Sequence, residues 1–510
     1  MDIVIETELG KIEGYSENGL NIFKGIPYAE PPIGEFRFAP PQEKESWEGV
    51  LDATKFGPRA IQGYTQLENL FPMKGSDSEA DCLSLNIWTP SCENGKRPVM
   101  MWIHGGAYIF GSGSNPIYDG STLAKRGNIV IVTINYRLGA FGFLSLPGAA
   151  PNAGILDQVE ALKWINKNIE KFGGDPHNVT IFGESAGGGS VCALLAMPST
   201  KGLVHHAIAQ SGALVTAKPN KEMPELLMQE LGIENGDIDS LRSVSAEKLI
   251  EAQNAILARA TKEGTFGTLA FRPSVDGDSL PVQPLEAILN GAGKNVDLLL
   301  GCNQHETTIF FYLQYQSNKV EIAELRKGIS RFFTQVGVSD ERASNSVKAY
   351  EDIRNISFSE KPLEILNAIG TDLAFRIPGI RFAETYNTQN YNTYMYLFTW
   401  PSPAFKGVLG SCHMVELPFV FGNLDIPRAA IFFGSGPAAE TLSQRMMDSW
   451  IAFAHTGNPN CESIPEWIPY NTKTRSTMFI GEEFKSVNAP FDEERAVWDD
   501  FPGFNLKNLD

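Results

Sequence analysis

The chain has 510 residues, 43% apolar and 20% charged, which excludes a disordered polymer, a collagen-like repeat and a coiled coil. Its 42 Lys and Arg face 60 Asp and Glu, a net charge of −18 with no basic run, and such a surface repels nucleic acid and anionic lipid. The longest apolar run, residues 129–146, is interrupted by Asn135 and Arg137 and does not read as a membrane span.

In chain order, residues 1–6 carry neither the basic n-region nor the apolar stretch of a signal peptide. Six cysteines (82, 92, 192, 302, 412 and 461) form no Cys-x-x-Cys, so free thiols in a reducing cytoplasm are expected. Short strands are predicted at 3–8, 11–15 and 21–26, then a proline-rich stretch at 27–41. Val99-Met100-Met101-Trp102-Ile103 and residues 129–134 read as strands buried on both faces. Val159, Leu162, Ile165, Ile169 and Phe172 recur at helical spacing, which predicts a helix over 157–172. Strands come next at 179–182, 206–209, 298–300 and 393–398, with a small-residue helix from Ala186 onward. This alternation argues a mostly parallel sheet covered by helices. Residues 218–262 and 318–384 read as helical insertions over the strands' carboxyl ends, where ligands bind in such sheets. No boundary has a linker's composition, so one domain over 1–510 is expected.

Gly183-Glu184-Ser185-Ala186-Gly187 comes after an apolar strand and opens a helix. A Gly-x-Ser-x-Gly turn in that setting exposes a serine hydroxyl at a helix N-terminus, although a glycine-rich turn with a capping serine has the same local pattern. Trp102-Ile103-His104-Gly105-Gly106-Ala107-Tyr108 puts two glycines after a buried strand, as backbone donors aimed at an oxyanion require, and Ala186 supplies another amide. A serine needs a base, and seven histidines are available. In the chain order serine, acid, histidine, His104 and His177 come before Ser185, and His205 and His206 leave little room for an acid, which leaves His305, His413 and His455. His455 suits a helix end, and His413 lies beyond a strand and a loop. Glu306 lies just past the strand at 298–300 and suits the acid.

Together these segments resemble the type-B carboxylesterases, the family that includes bacterial para-nitrobenzyl esterases. The resemblance rests on Phe23-Lys24-Gly25-Ile26-Pro27-Tyr28-Ala29-Glu30-Pro31-Pro32, Asp81 to Trp88, Asn135 to Gly139, Phe182 to Gly189, Gln210-Ser211-Gly212 and Glu416 to Gly422. It implies an α/β-hydrolase fold with helices on both faces of a large, mostly parallel sheet, a small N-terminal β-sheet and helical insertions over the active site. It implies hydrolysis of small to medium apolar carboxylic esters through an acyl-enzyme. Ser185 becomes the nucleophile, Glu306 the acid, His413 the base, and the amides of Gly106, Ala107 and Ala186 the oxyanion donors. Glu184 and Ser211 become polar groups supporting them.

Gly105, Phe310 and Phe311, with residues 64–73, are expected to wall the pocket. No metal or cofactor is expected, and the partner is a small-molecule ester. Nucleic acid and membrane are excluded, and the chain is expected as a monomer or weak homo-oligomer. This sequence departs from the family's pattern in three places. His305 stands where an acidic residue usually precedes the acid; Cys82 lacks its usual cysteine partner; and residues 60–81 contain no Trp, which disfavours choline esters. Cys302 and Cys412 flank the acid and base and are expected as free thiols.

Overall fold

The computed structural model describes residues 2–63, 75–93, 95–262, 270–315, 339–389 and 392–501. Strands β1 (Asp2–Glu6), β2 (Lys11–Glu17) and β3 (Leu20–Pro27) form an antiparallel meander, with β4 (Val50–Asp52) beside β2. Strands β5 (Arg59–Ala60) and β6 (Asp77–Ser78) pair separately. Next along the chain are β7 (Ser84–Thr89), β8 (Arg97–Ile103), β9 (Val130–Ile134), β10 (Gly174–Glu184) and β11 (His206–Gln210). The last are β12 (Asp297–Asn303), β13 (Thr393–Phe398), β14 (Thr477–Ile480) and β15 (Phe484–Val487).

Across the main sheet the order is β1-β2-β3-β7-β9-β8-β10-β11-β12-β13-β14-β15. From β9 to β14 every neighbour is parallel, and the pairs at either end are antiparallel. The N-terminal meander joins this sheet through β3 and β7 and so extends its edge.

Side chains on each parallel strand divide between two apolar layers because successive residues point to opposite faces. Val99, Met101 and Ile103 of β8 enter one layer, and Met100 and Trp102 the other. Leu298 and Leu300 of β12 likewise oppose Leu299. Periodicity did not mark β7, because its polar residues are buried too. Asn86 there donates to Thr133 Oγ1 at 2.9 Å and accepts the Gly25 N–H at 2.9 Å.

The helix expected over 157–172 runs Ala153–Asn168 and tightens into a 3-10 turn, Ile169–Phe172. The first insertion supplies helices Glu222–Leu231, Ile238–Ser243 and Ala246–Lys262. The second supplies Asp340–Arg354, Pro362–Thr371 and Ile377–Asn387, with a π turn at Asp372–Arg376. Residues 318–338 of that insertion lie outside the described residues. No helix among the described residues is long and apolar enough to cross a membrane.

The turn after β9 is fastened by a buried ion pair. Arg137 donates from Nη2 to Asp157 Oδ1 at 2.6 Å and from Nε to Oδ2 at 2.9 Å, and its backbone N–H also reaches Oδ2. Removing one partner strands a buried charge. Asp157→Ala is therefore expected to cost about 3–5 kcal/mol in urea unfolding, far more than a surface pair would.

Candidate active site

Strands β8, β10, β11, β12 and β13 lie side by side in parallel and release their chain at the same sheet edge, and the loops leaving those strand ends assemble the site. After β10 the chain turns into the helix Ala186–Ala196 through Ser185, whose φ of 58° and ψ of −120° are strained for a residue with a side chain. Crowding enforces the glycines beside it. A Cβ on Gly183 would lie 2.6 Å from the Gly187 carbonyl carbon, and one on Gly187 would lie 2.0 Å from Ile103 O. Ser185 itself is half-buried while its neighbours are buried, so its side chain is the accessible point of the turn. The backbone is held by Ser185 N–H donating to Gln210 O at 2.9 Å.

After β8, His104 is buried, stacks on Tyr136 with ring centroids 4.4 Å apart, and has its Nδ1 2.8 Å from Gly105 O. Burial pushes its pKa down to about 4, so the ring is neutral and Nδ1–H donates to that carbonyl. Tyr136 donates its hydroxyl to His104 O at 2.8 Å. Gly106, Ala107 and Tyr108 then take three successive positive φ values, 111°, 53° and 61°. Among the described residues the amides of Gly106, Ala107 and Ala186 have no acceptor. Gly105 fits closely against the serine: its missing Cβ would lie 3.1 Å from Ser185 Cβ and 2.8 Å from Glu184 Oε2.

After β12, Glu306 is wholly buried; its Oε1 accepts the Asn303 N–H at 2.6 Å, and its Oε2 lies 2.6 Å from His413 Nδ1. His413 comes from the loop after β13 and is 4% exposed. The rings of Phe310 and Phe375 flank it at 5.2 and 5.0 Å. Its Nε2, the nitrogen a serine proton would have to reach, lies 3.1 Å from Glu184 Oε1. Burial disfavours charge on His413, but the Glu184 and Glu306 carboxylates outweigh it, and its pKa is raised to about 9. Burial raises Glu184 to about 8, reinforced by Glu416 and Glu306 and opposed by His413.

Several residues in this cluster carried no assigned role in the sequence. Asn303 donates from Nδ2 to Glu416 Oε2 at 2.7 Å and to Cys412 O at 2.9 Å. Gln210 donates to Glu416 Oε1 at 3.1 Å and accepts from Trp450 Nε1 at 3.1 Å. Glu416 stood in a matched segment, where a carboxylate in an apolar run (Glu416-Leu417-Pro418-Phe419) was the available signal. Phe375 had none, since it sits in the π turn of an insertion.

The remaining expected residues are more scattered. Ser211 is buried with φ 47°, and its Oγ finds no partner among the described residues. Phe311 packs against the apolar layer opposite the one that Phe310 joins. Residues 64–73 lie outside the described residues. His455 Nε2 is 3.0 Å from Gly127 O, at the end of the helix Ser121–Gly127. His206 faces Asp297 at 3.2 Å, while His205 Nδ1 accepts the Val179 N–H. All six cysteines are unpaired. No group of three His, Cys, Asp or Glu among the described residues is arranged to hold a metal ion.

A parallel sheet with a strained serine between β10 and its helix, and with glycine amides and a carboxylate–imidazole pair at the same edge, defines an α/β-hydrolase. Comparison with known proteins makes the class specific. The Carboxylesterase family model matches residues 1–498. A para-nitrobenzyl esterase of Bacillus subtilis is 39% identical over 96% of this chain and 97% of its own. A phenmedipham hydrolase of Pseudarthrobacter oxydans is 34% identical over 95% and 96%. A solved carboxylesterase of Geobacillus stearothermophilus superposes with a TM-score of 0.85 at 38% identity, covering 97% of this chain and all of that one. The chain belongs to the carboxylesterase family and is a carboxylic ester hydrolase of the serine type.

Proposed function

We propose that this chain hydrolyses small to medium apolar esters of aryl and alkyl type, including para-nitrophenyl and para-nitrobenzyl esters, through an acyl-enzyme on Ser185. The observation that supports this reading is an accessible, strained Ser185 packed against Gly105, with Glu306 and His413 in contact with each other and His413 Nε2 3.1 Å from Glu184, the residue before the serine. His413 Nε2 takes the hydroxyl proton as Oγ attacks the ester carbonyl, and Glu306 keeps the ring's other proton on Nδ1. The amides of Gly106, Ala107 and Ala186 receive the oxyanion, each donor contributing roughly 3 kcal/mol. His413 then protonates the departing alcohol, and water cleaves the acyl group by the same steps. Phe310 and Phe375 beside the base supply an apolar wall for the ester, and the relative named for para-nitrobenzyl esters supports the substrate class.

The unpaired cysteines support a cytoplasmic setting, and one domain acting as a monomer or weak homo-oligomer completes the reading.

Rapid quenching of the enzyme with para-nitrophenyl acetate, then peptide mass spectrometry, is expected to find one acetyl group on Ser185. An adduct elsewhere overturns the proposal. The pH profile gives a second measurement. His413 must be neutral to accept a proton, and its pKa is raised, so kcat/KM is expected to climb through an acid limb above 6.5, toward 9. Glu184→Gln removes one carboxylate and is expected to move that limb to lower pH.

A further inference from the structure

We infer that His305 is a positioning residue, whose neutral imidazole latches the loop carrying His413 onto the loop carrying Glu306. The inference rests on the roles proposed above for Glu306 and His413. Its basis is a two-way contact between His305 and Ser411, which lie on either side of the acid–base pair. The His305 backbone N–H donates to Ser411 O at 2.8 Å, and Nδ1 of its ring accepts the Ser411 N–H at 3.2 Å. One residue is thus fastened through both its donor and its acceptor to another, two positions before His413. Next to it, His413 N–H donates to Glu306 O at 3.3 Å, so consecutive residues of one loop, His305 and Glu306, are stitched to Ser411 and His413 of the other.

The space around the ring is shaped for this contact. Gly410 has φ 58°, and a Cβ there would lie 2.7 Å from His305 Nδ1, so only glycine lets the ring close on the Ser411 amide. Ser411 is also tied from behind, by its hydroxyl donating to Phe398 O at 2.7 Å. The ring's surroundings favour the neutral form that an acceptor Nδ1 demands. Burial and the nearby Arg354 hold the pKa below its usual value, against the pull of Glu364. The ring lines a cavity of about 470 Å³ whose walls also carry Arg354, Arg376, Asp372 and Glu494. Position 305, which precedes Glu306 in the chain, carries no carboxylate. The latch therefore adds no negative charge next to His413, where an acidic side chain accepting the same N–H would add one.

A ring that only fills space and a ring that sets the base's position differ in what their loss does. His305→Leu removes the acceptor at similar bulk, and His305→Asn keeps an oxygen where Nδ1 stood. With para-nitrophenyl acetate, the leucine variant is expected to lose roughly tenfold to a hundredfold in kcat, since misplacing a catalytic group by about 1 Å has that effect. KM should stay within about twofold, and the asparagine variant should recover most of the lost kcat. Unchanged kcat in His305→Leu with a lowered melting temperature, or equal losses in both variants, overturns the assignment. Should His305→Leu fail to fold, 15N NMR of histidine-labelled wild-type protein decides, with His305→Asn identifying the resonance. A neutral ring protonated on Nε2 is expected, and one protonated on Nδ1 overturns the latch. A wild-type chain that forms no adduct on Ser185 defeats the underlying mechanism. A chain that acylates there while His305→Leu matches its kcat defeats this inference alone.

Discussion

Ser185→Ala is expected to lower kcat for para-nitrophenyl esters on the order of 10⁶-fold, while leaving the folded structure and its melting temperature close to those of the wild type. The size comes from covalent catalysis: without Oγ no acyl-enzyme forms, and water must attack the carbonyl with the oxyanion amides as the remaining aid. The fold should tolerate the change because Ser185 keeps its backbone through the Gln210 and Gly189 hydrogen bonds, which do not involve the side chain. Loss of Oγ also leaves no buried partner unsatisfied, as the residue is half-buried. A melting curve together with a single-turnover assay checks both halves. Residual turnover within about tenfold of wild type would mean that another group carries the acyl chain.

Glu306→Gln is expected to lower kcat by about 10⁴-fold, a larger loss than the change of one atom suggests. Glu306 Oε1 accepts the Asn303 N–H at 2.6 Å, so the glutamine carbonyl keeps that place and its NH₂ group turns to His413 Nδ1. That NH₂ donates, so Nδ1 must accept, and the neutral ring carries its proton on Nε2. The nitrogen that should receive the Ser185 proton is then already protonated. Removing the Glu306 charge also lowers the His413 pKa, which moves the acid limb downward. Raising the pH therefore cannot restore the rate, since the defect is the tautomer and not the extent of protonation. A pH–rate profile of the variant that regains wild-type kcat at high pH would contradict this account.

Legibility in the sequence tracked the distance over which each constraint acts. The sharp turn at Ser185 was readable because its causes are local: an apolar strand, glycines where a Cβ collides with backbone, and a small-residue helix. The buried strands β8 and β9 were readable for the same reason, as continuous apolar runs. Strand β7 was less so, because its Asn86 is buried against Thr133, and a polar residue reads as exposed until its partner is known. The helix Ala153–Asn168 begins four residues before the expected start, with buried Ile155 carrying the apolar spacing of Val159 and Leu162 one turn further back.

By itself, then, the sequence determined the chemistry that local geometry can hold: a serine on a strand-to-helix turn, glycine amides after a neighbouring strand, and a parallel α/β sheet to present both. Local pattern left three histidines open and the family resemblance named His413 with Glu306, but only the tertiary structure brings that pair into contact. Glu306 and His413 are separated by 107 positions and meet because β12 and β13 pair in parallel register and release their loops side by side. It also brought Glu184 to the far side of the same imidazole, Asn303 and Glu416 behind it, and Phe375 across it. Strand order and register set these meetings, and both arise from packing two apolar layers against one sheet, a global balance that no short stretch of residues encodes.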